Sequence, residues 1–267
     1  MKHKTLVLLS AMKWEMKDIS KNLKKLSQNS KNIIPEKKIF LESYEINNTI
    51  VYTGCMGVGK NKVVKNLSII LNALPENIHI VFIGLAGAVV PQLNVGDCVM
   101  PCKVINDQGS IPVSEMGIFL EGVFSGGEEC PSKKRTIRKL NYRNAIVTTN
   151  GLADKNLKTD IKNSFQEACL VDMESWHAAL FCRQHNVSFS ILKGISDDYF
   201  FVFPMTELLP VCFKRKGLFH TFRELSDKGA SVLDLYRCAV LYKNCLKARQ
   251  NLTRIIIRNI KGDCIND

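Results

Sequence analysis

Short apolar runs alternate with helical periodicities along most of this chain. Thr5–Ser10 (TLVLLS) reads as a buried strand and passes straight into a helical pattern from about Trp14 to Leu26. Lys38–Ile46 and Thr49–Thr53 read as two strands, with Asn47-Asn48 as the hairpin turn between them. Gly54–Gly59 (GCMGVG) opens a helix that runs to about Leu74 and stops at Pro75. Ile78–Ile83 (IHIVFI) is another buried strand, and Gly84–Gly87 reads as a glycine-containing turn at its end. Gly96–Ile105 reads as a strand, Ser110–Gly122 as a loose extended pair, and Ser125–Arg135 as a polar loop. Asn144–Thr149 and Ala168–Asp172 are strands flanking a helix at Asp154–Phe165. A helix at about Glu174–Gln184 and an apolar strand at Ser188–Ile195 follow. After the aromatic segment Tyr199–Pro210, the clearest helix spans about Ala230 to Arg249.

No internal repeat and no long linker divides this succession, so residues 1–267 read as one α/β domain. The expected architecture is three-layered, α/β/α, around a central twisted sheet. That sheet is expected to be mixed, because two strand pairs have no helix between them.

A hydrophobic content of 46% supplies a real core and excludes a disordered chain. The net charge of +12 would suggest a polyanionic partner, but its distribution is uneven. Residues 211–267, about the last fifth, carry twelve Lys/Arg against five Asp/Glu, a balance of +7. Much of the rest is lysine scattered from Lys13 to Lys38, as on a solvated helix face. A basic helical C-terminal region is therefore expected rather than a nucleic-acid footprint, and contact with an acidic membrane surface is a second use for it. The ten cysteines show no CxxC pair and no zinc-finger spacing with histidine, which fits small buried hydrophobes in a reducing compartment. At the N-terminus, the apolar run Leu6–Leu9 is too short for a secretory leader, and Lys13 and Glu15 follow at once. A cytoplasmic protein is expected.

The candidate chemistry lies where strands end. The first strand runs out into Ala11–Glu15, and the last one, Ser188–Ile195, into Ser196-Asp197. Glu174 opens the helix between two strands. As structural groups these acids would cap helices or complement their dipoles. Brought together, Glu15, Glu174 and Asp197 suit cleavage of a glycosidic bond without a metal. One carboxyl protonates the leaving group, another activates water, and a third holds vicinal ribose hydroxyls. The histidines give no metal-ligand pattern: His177 and His185 lie eight residues apart on one helix and read as surface or packing groups.

In these positions the chain resembles the nucleoside phosphorylase/nucleosidase superfamily, which includes purine nucleoside phosphorylases and methylthioadenosine/S-adenosylhomocysteine nucleosidases. The resemblance runs from Leu6 to about Asp198 and rests on four ordered motifs. They are Leu9–Met12 with Glu15, Thr53–Lys60 (TGCMGVGK), Gly84–Ala88 with Val95-Gly96-Asp97, and Val171–Ser175 (VDMES) with Ile195-Ser196-Asp197. It implies a phosphorylase/hydrolase-like fold, an N-glycosidase acting on a purine nucleoside, and a homo-oligomer, a dimer or trimer. It makes Glu15 and Asp197 the catalytic pair, Glu15 activating water and Asp197 protonating the base. Met173, Glu174, Ser196, Ala86, Gly87 and Leu152 would line the substrate, with Glu174 on the ribose hydroxyls. No cofactor or metal is implied, and phosphate would be a co-substrate only for a phosphorylase.

Three departures sharpen this. The chain has no arginine before Arg135, whereas phosphorylases hold phosphate with arginines in the first half of the fold. Leu85 stands where many relatives carry a hydroxyl. Asn150–Ala153 lacks the aromatic expected to stack on the base of a methylthioadenosine nucleosidase. Hydrolysis releasing adenine is thus the expected reaction, phosphorolysis the alternative, and a non-catalytic nucleoside- or nucleic-acid-binding module the reading from another class. The VDMES form looks most like the hopanoid-associated branch, linked to adenosylhopane. Phe200–Pro204 would then form an apolar mouth, unless these side chains are core.

Overall fold

A computed structural model describes residues 4–34, 39–46, 49–76, 78–113, 144–204 and 231–261. Eleven described strands form one mixed sheet. They are β1 (Lys4–Ser10), β2 (Asn29–Asn32), β3 (Leu41–Ile46), β4 (Thr49–Cys55), β5 (His79–Ala88), β6 (Cys98–Val99), β7 (Lys103–Asn106), β8 (Gly109–Pro112), β9 (Ala145–Thr148), β10 (Ala168–Asp172) and β11 (Ser188–Asp197). The helices are α1 (Lys13–Leu26), α2 (Lys60–Asn72), α3 (Lys155–Ser164), α4 (Ser175–Gln184) and α5 (Val232–Lys261).

Alternation along the central strands builds the three layers. Val7 and Leu9 of β1, with Ile80 and Phe82 of β5, face a core that includes Val63 and Leu67 of α2 and Ala178 and Cys182 of α4. The intervening Leu6, Leu8, Val81 and Ile83 face Met16, Ile19 and Leu23 of α1 and Leu252 and Ile256 of α5. A strand apolar at every position thus feeds two cores, as a sheet covered on both faces requires. Phe82 and Phe189 pack at 5.8 Å between ring centroids in the first of them.

The fold positions the site through β5. On one side β5 pairs with β11 in parallel along almost its whole length, from His79↔Ser188 to Gly87↔Asp197. On the other side it pairs in parallel with β1 at Ile80–Phe82, and antiparallel with β10 at Gly87 and Ala88. Between Phe82 and Gly87, β5 therefore changes neighbour, and β1 and β10 diverge around that stretch. In open α/β sheets a change of neighbour of this kind, at the carboxyl ends of parallel strands, is where ligands ordinarily bind. A register shift between Ile195 and Asp197 leaves Ser196 as an extra residue and sets Asp197 opposite Gly87.

Several expectations are corrected. Gly84–Gly87 is not a turn: the strand continues through it, because β11 supplies a pairing partner out to Gly87. Asp197 is accordingly the last residue of β11, not a residue beyond the strand. The expected strand Gly96–Ile105 is two, β6 and β7, separated at Met100–Cys102, where Pro101 removes a backbone donor. The last helix extends twelve residues past Arg249, to Lys261, because Leu252, Ile256 and Ile257 continue its buried face. Part of the basic C-terminal charge is also internal. Arg249 is 6% exposed, pairs with Asp18 at 2.8 Å, and stacks over Trp14 at 4.3 Å. The Asn47-Asn48 turn, the Ser125–Arg135 loop and most of Ser110–Gly122 lie outside the described residues. Among the described residues no helix is long and apolar enough to cross a membrane.

Candidate active site

Glu15 stands in the first turn of α1, where a carboxylate is ordinarily a cap. Here it does two things. Its Oε2 accepts from the Met12 N–H at 2.9 Å, closing the helix N-terminus. Its Oε1 accepts from the Leu85 N–H at 3.0 Å, so the carboxylate bridges into the fork of β5. The side chain is buried, and burial raises its pKa. Lys193 and the two backbone donors pull in the opposite direction, and Asp172 adds to the rise.

Lys193 interrupts the apolar run of β11 and is almost fully buried. Its Nζ is 2.9 Å from Asp172 Oδ2. Burial alone would lower its pKa, but Asp172, Glu15 and Glu174 outweigh this and raise it. Three carboxylates thus surround one ammonium. Glu174 shows the cost: burial and then Asp172 push its pKa up to about 7, against relief from Lys193 and from the Gly59 N–H. That amide belongs to the left-handed glycine (φ 81°) at the start of α2, so the TGCMGVGK segment reaches the site through its backbone.

Glu174 occupies the N-cap position of α4 but caps no helix amide. Asp172 does that work, accepting from the Ser175 N–H and Oγ and from Thr148 Oγ1. With the cap supplied by Asp172, the Glu174 carboxylate is left available to a ligand.

Asp197 lies farther along the same strands. Its Oδ1 accepts from Ser196 Oγ at 2.7 Å, and its Oδ2 is 2.6 Å from Lys158 Nζ. Burial raises the pKa of the Cys245 thiol in α5, and Asp197 and Glu15 both add to the rise. Two glycines of β5 make room for these two carboxylates. A Cβ on Gly84 would come within 2.9 Å of Glu15 Oε1, and one on Gly87 within 2.6 Å of Asp197 Oδ2. A side chain at either point would displace the carboxylate it meets.

The structure therefore brings Glu15 and Glu174 together around Lys193. It sets Asp197 with Ser196 at Gly87, about 10 Å along β5 from Gly84 at an ordinary strand rise. Ala86 is buried beside them, its carbonyl 3.3 Å from Ser196 Oγ. Met173 is partly exposed between Asp172 and Glu174, and Leu152, between β9 and α3, is 43% exposed. Phe200–Pro204 divides: Phe201 and Phe203 join Trp14 and Leu85 against the buried pair Leu241 and Cys245, whereas Phe200 and Val202 are exposed. Sequence reasoning missed Lys158 and Lys193. For Lys193 a signal existed, a lone charge inside SFSILKGISD; for Lys158, its place three residues before Ile161 on the buried face of α3 was the only hint. Among the described residues no cluster of His, Cys, Asp and Glu is arranged to hold a metal ion.

Residues 5–201 match the family model for the phosphorylase superfamily. The chain belongs to that superfamily. A 5'-methylthioadenosine/S-adenosylhomocysteine nucleosidase of Bacillus cytotoxicus is 27% identical over 154 residues, 53% of this chain and 65% of that protein. The same enzyme of Bacillus thuringiensis matches equally, so the chain spans somewhat under two thirds of the curated relatives it resembles. Among solved structures, a Helicobacter pylori 5'-methylthioadenosine/S-adenosyl homocysteine nucleosidase aligns with a TM-score of 0.62 at 16% identity, covering 97% of this chain and 100% of that one. A Helicobacter pylori futalosine hydrolase mutant gives 0.61 at 16% identity over 96% and 99%. A Colwellia psychrerythraea nucleosidase in complex with adenine gives 0.64 at 15% over 98% and 96%. At these identities the likeness establishes the fold, α/β with a mixed sheet.

Proposed function

We propose that this protein hydrolyses the N-glycosidic bond of a purine nucleoside and releases the base, adenine in the first instance. The observation that carries this is the pair of glycine-cleared carboxylates, Glu15 at Gly84 and Asp197 at Gly87, at the point where β5 changes neighbour. Glu15, with its raised pKa, is the base that takes a proton from the attacking water. Asp197, oriented by Ser196, delivers a proton to the departing purine. Glu174 accepts from the ribose hydroxyls, with Met173 against the sugar. Asp172, Glu174 and Glu15 face one ammonium, Lys193, where an oxocarbenium-like sugar becomes positive.

Water is favoured over phosphate by the same geometry. The two buried lysines of the site, Lys158 and Lys193, are each engaged by a carboxylate, and no arginine precedes Arg135. Neither lysine is left to form an anion pocket. The nucleosidases and the hydrolase named above lend support as relatives. At the 5′ end of the nucleoside, exposed Phe200 and Val202 beside packed Phe201 and Phe203 suit an apolar substituent, with adenosylhopane as the example. Wild type, Glu15→Gln and Asp197→Asn should be assayed for free base on adenosine nucleosides differing at the 5′ position. Wild type is expected to favour apolar substituents, and each variant to lose at least 100-fold in turnover, as removal of an acid or base does. Unchanged turnover in either variant would remove the assigned pair.

A further inference from the structure

Lys158 has no part in the chemistry just described, yet it is fully buried, on the inner face of α3. Its Nζ donates to Asp197 Oδ2 at 2.6 Å and to the Asp198 carbonyl at 2.7 Å, and it lies 5.8 Å from the centroid of the Phe203 ring. All three directions of the ammonium are thus taken by groups that exclude water. Asp197 in turn accepts at both oxygens, from Ser196 Oγ and from Lys158. Both of its oxygens are thereby engaged, one by a neutral hydroxyl and one by an ammonium. A group that must act as an acid is a carboxylate between two donors, and the nearer donor is the one that is charged.

We propose that Lys158 is the source of the proton that reaches the departing base, with Asp197 as the relay. As the bond between the sugar C1′ and the purine breaks, its electron pair moves onto the ring system. A ring nitrogen takes a proton from Asp197, and Asp197 takes one from Lys158 Nζ, which is left as a neutral amine. The attacking water gives its hydroxyl to C1′ and its proton to Glu15. Once the base has left, solvent reprotonates Lys158 through Asp197 and takes the proton from Glu15, which returns both to their starting forms. Lys158 acts through Asp197 and is a positioning and proton-supplying residue rather than one that touches substrate. This deepens the hydrolase reading above and rests on it.

Two substrates and two variants separate this role from a purely structural one. An adenosine nucleoside needs its leaving base protonated; 4-nitrophenyl β-D-ribofuranoside loses a phenolate that does not. Lys158→Met removes charge and proton together. Lys158→Arg keeps the charge and the donors, but a guanidinium does not surrender a proton in a protein. Both variants are expected to lose about 100-fold or more in kcat on the adenosine nucleoside, within the range for acid–base catalysis. On the nitrophenyl riboside the loss should be at least tenfold smaller than on the nucleoside, and an unchanged far-UV circular dichroism spectrum shows that the variants are folded. If Lys158→Met does not fold, Lys158→Arg alone carries the test. Arginine retaining wild-type turnover of the nucleoside would overturn the proton-source role, as would equal losses on both substrates. If wild type cleaved neither substrate, the hydrolase reading itself would fall, and the proposal with it.

Discussion

Glu174→Gln should make this protein more stable at alkaline pH and, on the role proposed for it, weaken sugar binding. The carboxyl has a pKa of about 7 in the fold against 4.5 ordinarily, because burial and Asp172 outweigh Lys193 and the Gly59 N–H. At 1.36 kcal/mol per unit this is a penalty of about 3 kcal/mol, carried by the folded state once the group is ionised. The sign follows from proton linkage. A folded-state pKa above the unfolded one means that the native protein binds the proton more tightly, so stability falls as pH rises from about 4.5 to about 7. Above that range the full cost is present, and below it the cost vanishes. Glutamine keeps the shape and an oxygen for the Gly59 amide but carries no charge. Urea unfolding should therefore show the variant more stable than wild type by about 3 kcal/mol at pH 8, with little difference at pH 4, at an unchanged denaturant slope. Loss of stability at pH 8, or a difference independent of pH, would refute the electrostatic account of Glu174.

Lys193→Met has the opposite expectation. It leaves Asp172 and its neighbours buried without a counter-charge and should cost about 3–5 kcal/mol in urea unfolding at neutral pH; a cost below about 1 kcal/mol would contradict the pairing. Gly87→Ala puts a methyl group 2.6 Å from Asp197 Oδ2, so turnover should drop at least tenfold while the far-UV circular dichroism stays unchanged; full activity would contradict the close approach. The pH profile of kcat/KM should rise with pH through about 7 as Glu174 ionises, and a profile flat from pH 5 to 8 would argue against an ionised Glu174 on the ribose.

Much of the fold was legible because Leu6–Leu9 of β1 and Ile80–Ile83 of β5 are apolar at every position, as a sheet covered on both faces requires. Glu15, Glu174 and Asp197 were legible as polar groups at the exits of such strands. The Gly84–Gly87 stretch misled, since glycine signals a turn when only its backbone freedom is weighed. Here the demand is for the absence of a side chain, set by Glu15 and Asp197, which come from elements far away in sequence. Lys158 was hidden for the same reason. Its partner is 39 residues away, and α3 carries other lysines, exposed at Lys155, that look identical in a linear reading. Asp172 was not among the acids assigned a site role from the sequence, and the structure shows it doing the capping and holding Lys193.

The nucleophile is the central claim, and labelled water tests it most directly. Wild type incubated with an adenosine nucleoside in ¹⁸O-water, with phosphate absent, should release free adenine and place one ¹⁸O on C1 of the sugar. Turnover should be unchanged when inorganic phosphate is added. Release that requires phosphate and yields unlabelled ribose 1-phosphate would contradict hydrolysis and make the protein a phosphorylase.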